Sequence, residues 1–151
     1  MTAPMPVLDA SVVVDALVVT GLPGDRGRAE MRRLDVLQVP AIFTAEVTSA
    51  LRRLELAHLL SPIRASTALA QVLTVRTTSY PFEPFARRVW ELRDALTVYD
   101  AWYAALAEQL DTELVTADQR LAGARGPRCP IRWLGEPSRH DPPRRSPRRS
   151  G

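Results

Sequence analysis

Apolar runs of strand length alternating with helical segments predict an α/β fold with a central, mostly parallel sheet of four to five strands flanked by helices. A second observation agrees: each strand candidate is separated from the next by a segment long enough for a right-handed crossover. The third is composition. With 46% hydrophobic and 25% charged residues among 151, the chain has the balance of a globular domain and the length to bury a real core without disulfides.

Residues 6–9 read as a short buried strand, and Ser11 is expected to cap a helix through residues 12–17. Gly and Pro content marks residues 21–25 as a turn before a charged helix over 26–34, where Glu30 has Arg26 and Arg33 as helical neighbours. A second strand at 36–39 stops at Pro40. Helical spacing of Phe43, Val47, Ala50, Leu51 and Leu54 predicts a helix over 41–56. Ser61 followed by Pro62 is an N-cap with Pro at the first helical position, opening a helix to about residue 73. The β-branched run 75–78 is the third strand, 84–96 a helix with Phe85, Val89 and Leu92 inward, and Thr97 restarts the chain into a helix over 98–110. Residues 114–116 form the fourth strand, 118–124 a short helix, and 131–134 an edge strand.

The residues after 135 are Arg- and Pro-rich and lack the apolar groups that would offset ordering entropy. The chain therefore divides into a domain over 1–135 and a tail over 136–151 expected to be disordered. Charge divides the same way. From Ser138 onward five Arg face one acid, Asp141, a net of +4, so the body carries −1 of the chain's +3. All 20 basic residues are Arg. The absence of Lys excludes P-loop, Schiff-base and receiver-type phosphoryl chemistry. Cys129 is the sole cysteine, which excludes an intrachain disulfide and a thiolate metal cluster. The first apolar stretch contains Asp9 and Asp15 and has no basic residue before it, which argues against a signal peptide. No uninterrupted apolar run approaches a membrane span, so a cytoplasmic protein is expected.

Most of the 17 acids have an ordinary reading as solvated or Arg-paired surface groups, as with Glu30, Glu55 beside Arg52, and Glu91 beside Arg87 and Arg88. Glu46 and Asp100 differ: neither has a cation three or four residues away, and each sits one turn into an apolar helix. Asp9 and Asp118 each end a strand. Taken singly these are capping or turn acids, but carboxyl ends of parallel strands and N-termini of helices share one sheet edge, where all four would meet. Such a cluster is stable at neutral pH when a cation neutralises it. Oxygen donors without His or Cys select Mg²⁺ or Mn²⁺ over Zn²⁺, and the site suits phosphodiester hydrolysis. Ser11 and Thr116 place hydroxyls beside Asp9 and Asp118, where they would orient a carboxylate or a water. His58, among Ala57, Leu59 and Leu60, reads as a partly buried structural residue.

The segments Val7-Leu8-Asp9-Ala10-Ser11, Ala45-Glu46-Val47 with Ala50-Leu51-Arg52, Leu96-Thr97-Val98-Tyr99-Asp100-Ala101 with Tyr103 and Leu106-Ala107, and Leu114-Val115-Thr116-Ala117-Asp118 with Arg120-Leu121-Ala122 together resemble a PIN domain. More narrowly, over residues 6–134, they resemble the VapC-type ribonuclease toxins. The resemblance implies a three-layer fold and a Mg²⁺- or Mn²⁺-dependent endoribonuclease with Asp9, Glu46, Asp100 and Asp118 as catalytic, metal-binding acids supported by Thr116. It also implies a toxin that cuts RNA, commonly tRNA or rRNA, a homodimer, and an antitoxin that blocks the active site. Asp94 departs from the family's commonest pattern, which has a polar amide there. Arg93 is the expected backbone-phosphate contact, and the tail reads either as an extension adding salt-sensitive RNA affinity or as a disordered solubilising one. Two other readings compete: a phosphoryl-transfer enzyme with Asp9 as nucleophile, disfavoured by the missing Lys, and a catalytically inactive PIN-like module binding RNA or protein, whose mark would be a lost acid.

Overall fold

The computed structural model describes residues 4–135, and the tail lies outside them. Five strands form one sheet: β1 (Val7–Leu8), β2 (Leu37–Pro40), β3 (Thr77–Tyr80), β4 (Leu114–Thr116) and β5 (Ile131–Trp133). Their order is β3-β2-β1-β4-β5 with every pairing parallel. The helices are α1 (Ala10–Val18), α2 (Leu22–Arg32), α3 (Phe43–Leu56), α4 (Pro62–Val72), α5 (Ala86–Glu91), α6 (Val98–Gln109) and α7 (Gln119–Ala122). No helix of the described residues is long and apolar enough to cross a membrane.

The central strand β1 is bonded on both sides, with Val7 opposite both Gln38 and Leu114 and Leu8 opposite Val115. Chain direction across the sheet reverses there: β2 and β3 lie to one side, β4 and β5 to the other. In an open α/β sheet this reversal opens a crevice beyond the strand ends, next to the residues that follow β1 and β4. Burial follows the same logic. Val7, Leu8, Leu114 and Val115 are fully buried between the helical layers, whereas Thr77, Thr78 and Ser79 of β3, at the sheet's margin, are exposed. Helix α6 is buried from Ala101 through Ala107, which makes it the core helix.

Several elements differ from expectation for local reasons. The N-cap of α1 is Asp9, and Ser11 lies inside the helix with its hydroxyl turned back on the Asp9 carboxylate. Residues 22–25, expected as a turn, are the first turn of α2: Gly21 breaks the chain at φ 82°, and Pro23 fits the helix start. Gly24 and Gly27 are buried packing positions, and a Cβ on Gly27 would come within 2.7 Å of the Val12 carbonyl in α1. Strand β3 begins at Thr77 because Val75 still closes the C-terminal turn of α4, its N–H donating to Val72. The expected helix over 84–96 is a 3₁₀ turn (Glu83–Phe85), α5 and then a run of turns. His58 is exposed at φ 58°, a left-handed residue that ends α3, not a buried one.

The pairing of the buried Glu30 also departs from helical-neighbour expectations. Glu30, 7% exposed, is gripped by Arg132 of β5 at 2.6 and 3.1 Å, while Arg33 stands 3.8 Å away. Arg26 donates to the Leu134 and Gly135 carbonyls instead. Arg28 donates to the Ala16 and Val19 carbonyls and Arg64 to that of Val18, so two guanidiniums satisfy the free end of α1.

Candidate active site

The crevice beyond β1 and β4 is a cavity of about 360 Å³ whose lining includes Asp9, Glu46, Asp100 and Asp118. All four acids singled out in the sequence meet there. Asp9 follows β1 and caps α1, and Asp118 follows β4 and caps α7, accepting from the Arg120 N–H at 2.9 Å. Glu46 and Asp100 come from the first turns of α3 and α6, where free N–H groups favour negative charge. Thr97 caps α6, its hydroxyl accepting from the Asp100 N–H at 3.2 Å. Asp15 lines the same cavity; Asp94 lies in an adjoining one with Arg93, Thr97, Asp100 and Arg120.

One network fixes Asp9. The Ser11 and Thr116 hydroxyls both donate to its Oδ2, at 2.6 and 3.0 Å, while Oδ1 takes neither proton. Both hydroxyls accept in turn from the end of β4: Ser11 from the Ala117 N–H and Thr116 from the Asp118 N–H, each at 3.0 Å. The two residues therefore tie the ends of β1 and β4 together and lock one carboxylate rotamer. With Oδ2 committed, Oδ1 is the oxygen left for the cavity.

Electrostatically the site is under stress. Burial raises the pKa of Asp9, with the Asp100 charge adding to it and the two hydroxyls opposing. Burial likewise raises Asp100, with the Asp118 charge adding, and raises Asp15. Glu46 is pushed up to about 6, chiefly by burial and then by Asp9 and Asp100, against the stabilising effects of Tyr103 and Arg53. The Tyr103 hydroxyl is held protonated by burial and by the neighbouring Glu46 and Asp9 charges. The Tyr103 hydroxyl lies close enough to Glu46 to favour its charge, but it and Glu46 Oε1 are both buried and stand outside strict hydrogen-bond geometry.

These features fit a divalent cation. The four acids line one cavity and their donors are hard oxygens, but among the described residues no three His, Cys, Asp or Glu side chains are grouped closely enough to hold one ion. The lining therefore suits a cation held by one or two carboxylates with water filling the rest of its coordination sphere. Arg53 lines the cavity, and two further contributors had no role assigned from the sequence: Tyr103 stands behind Glu46, and Arg120 binds Asp118 Oδ2 at 3.2 Å. Arg120 follows Asp118 by two residues, a spacing that was legible.

A direct consequence is that charged Glu46 destabilises the cation-free fold. Its folded pKa of about 6 lies above its ordinary value, so the penalty is present above pH 6 and vanishes as pH falls below the unfolded pKa. In chelator, Glu46→Gln is expected to raise the melting temperature at pH 7.5, with the gap closing toward pH 4.5. A lower melting temperature for the variant at pH 7.5 would contradict this.

The PIN domain family model matches residues 7–126. Ribonuclease VapC9 of Mycobacterium tuberculosis is 39% identical over 127 residues, covering 84% of this chain and 96% of the relative. Ribonuclease VapC12 of the same organism is 35% identical over 122 residues, covering 81% and 93%. Among solved structures, "Structure of FitAB bound to IR36 DNA fragment" aligns with a TM-score of 0.51 at 19% identity, covering 91% of this chain and all of that one, a likeness of fold alone. The chain belongs to the PIN-domain family and, within it, to the VapC ribonucleases.

Proposed function

We propose that this chain is the toxin of a toxin–antitoxin pair, an endoribonuclease that cleaves RNA phosphodiester bonds with Mg²⁺ or Mn²⁺ held by Asp9, Glu46, Asp100 and Asp118. The observation that carries this reading is the lining of one cavity by all four carboxylates, where burial and mutual repulsion disfavour the charges of Asp9, Glu46 and Asp100. When bound, the cation supplies activation of water and neutralises charge that develops on the phosphate.

The residues of the chain do the rest. Ser11 and Thr116 hold Asp9 in one rotamer so that Oδ1 stays directed away from their protons. Thr97 and Asp118 fix the helix starts that present Asp100 and Arg120. An adjoining cavity of about 410 Å³ shares Asp100 with the acidic one and carries Arg93 and Arg120, which we assign to the RNA backbone phosphates. Arg120 is well placed to exchange partners, because its side chain is 79% exposed and its bond to Asp118 is a surface one. Arg93 is partly committed, lying 4.7 Å over the Trp90 ring and donating to the Trp90 carbonyl. Arg26 and Arg28, by contrast, are used up in holding carbonyls of the fold.

The proposed substrate is a tRNA or rRNA, the proposed partners are a cognate antitoxin and a second copy of the chain, and the proposed compartment is the cytoplasm. The test is incubation of the purified full chain with labelled structured RNA in Mg²⁺, in Mn²⁺ and in chelator. Endonucleolytic products are expected with either ion and none with chelator; cleavage unaffected by chelation would overturn the proposal.

A further inference from the structure

The exposed aromatic at the start of α6 is out of keeping with the rest of that helix. Residues 101–107 are buried, yet Tyr99 is 54% exposed and Val98 46%. Tyr99 immediately precedes Asp100, and with Ile42, Ala45, Glu46, Ser49 and Arg53 it lines a cavity of about 300 Å³. This cavity shares Glu46 and Arg53 with the acidic one, so the two adjoin. Arg53 forms no ion pair among the described residues, and its one hydrogen bond is to Ser49 Oγ at 3.3 Å. The other strongly exposed aromatic, Trp90, already has Arg93 stacked on it. Tyr99 takes part in no aromatic or cation–π pair among the described residues.

An aromatic face, an apolar side formed by Ile42 and Ala45, and an uncommitted guanidinium are the elements that receive an unstacked nucleobase and its phosphate. From this juxtaposition we infer that Tyr99 and Arg53 form a base subsite, in which an unpaired base of the substrate RNA, one nucleotide from the scissile phosphate, stacks on Tyr99. The inference rests on the RNA-cleaving reading and adds the side of the site on which a base is gripped. Stacking is tolerant of base identity, so the subsite contributes affinity and register more than sequence choice. Tyr99 is thus a binding residue whose loss acts on KM.

The test uses a single-stranded oligoribonucleotide with 2-aminopurine scanned along its length, titrated with the full-chain Asp9→Asn protein. Fluorescence quenching is expected at one position beside the cleavage site. Adding Tyr99→Ala should abolish that quench and weaken binding about tenfold, while Tyr99→Phe retains both. In otherwise wild-type protein, Tyr99→Ala should raise KM about tenfold with kcat changed by less than about twofold. An abasic nucleotide at the same position should cost as much and add nothing to the variant. Unchanged quench and KM in Tyr99→Ala overturn the subsite, as does equal loss in Tyr99→Phe. A changed oligomeric state with unchanged RNA affinity would assign the cavity to a protein interface. If the wild type cleaves no RNA, the nuclease reading falls by itself, and the quench still decides the stacking.

Discussion

Asp9→Asn is expected to lower RNA cleavage by on the order of 100-fold or more while leaving the protein folded. The substitution keeps shape and removes charge from the one carboxylate whose rotamer is locked by Ser11 and Thr116. Both hydroxyls can still donate to an amide oxygen, so the tie between β1 and β4 survives. Burial disfavours the Asp9 charge, so its removal should not lower the melting temperature in chelator. The two readouts therefore move apart: activity collapses and stability holds or improves. That pattern is the sign of a site assembled for a ligand at some cost to the fold. Single-turnover cleavage beside thermal denaturation checks it, and retention of near wild-type cleavage would remove Asp9 from the reaction.

Arg132→Ala should destabilise the fold by about 3 kcal/mol, the low end for a broken buried pair because the Arg132 side chain is itself 37% exposed. Its guanidinium bridges Glu30 on α2, at 2.6 and 3.1 Å, and Glu113 at the start of β4, at 2.8 and 3.1 Å. Removing it strands Glu30, which is 7% exposed, with only Arg33 at 3.8 Å. A buried carboxylate left without its partner carries the desolvation cost alone. For a chain of this size the expected fall in melting temperature is about 10 °C. Restoring shape without charge at both positions, as Glu30→Gln with Arg132→Met, should recover much of the loss. The cavity lies at the opposite end of β4 from Glu113, so catalytic constants measured well below the transition should stay near wild type. A melting temperature within about 2 °C of wild type would show the bridge to be worth no more than a surface pair.

What could be read from the sequence was what local chemistry decides. Strands ended by Asp9 and Asp118, and helices opened near Glu46 and Asp100, follow from patterns a few residues long, and parallel topology then brings them to one edge. The Ser61-Pro62 helix start is of the same kind, with the Ser61 side chain accepting from Arg64. Gly24 misled because glycine marks a turn and a close helix contact equally well. Here α1 needs α2 near enough that only glycine fits. Glu30 misled because Arg26 and Arg33 are its helical neighbours, whereas its partner is 102 residues away. Tyr103 entered the sequence reading only as part of the family motif, and nothing local signals that its hydroxyl ends beside Glu46. The Arg residues were the hardest to sort, since Arg28, Arg64 and Arg132 serve carbonyls or acids brought close only by folding.

Direct cation binding bears most closely on the proposal that the acidic cavity holds a divalent cation. Calorimetric titration of metal-free protein with Mn²⁺ should give a saturable site that weakens at least about tenfold in both Asp9→Asn and Asp100→Asn and is unchanged in Arg132→Ala. Equal Mn²⁺ affinity in the wild type and in both acidic-cavity variants would contradict the proposal.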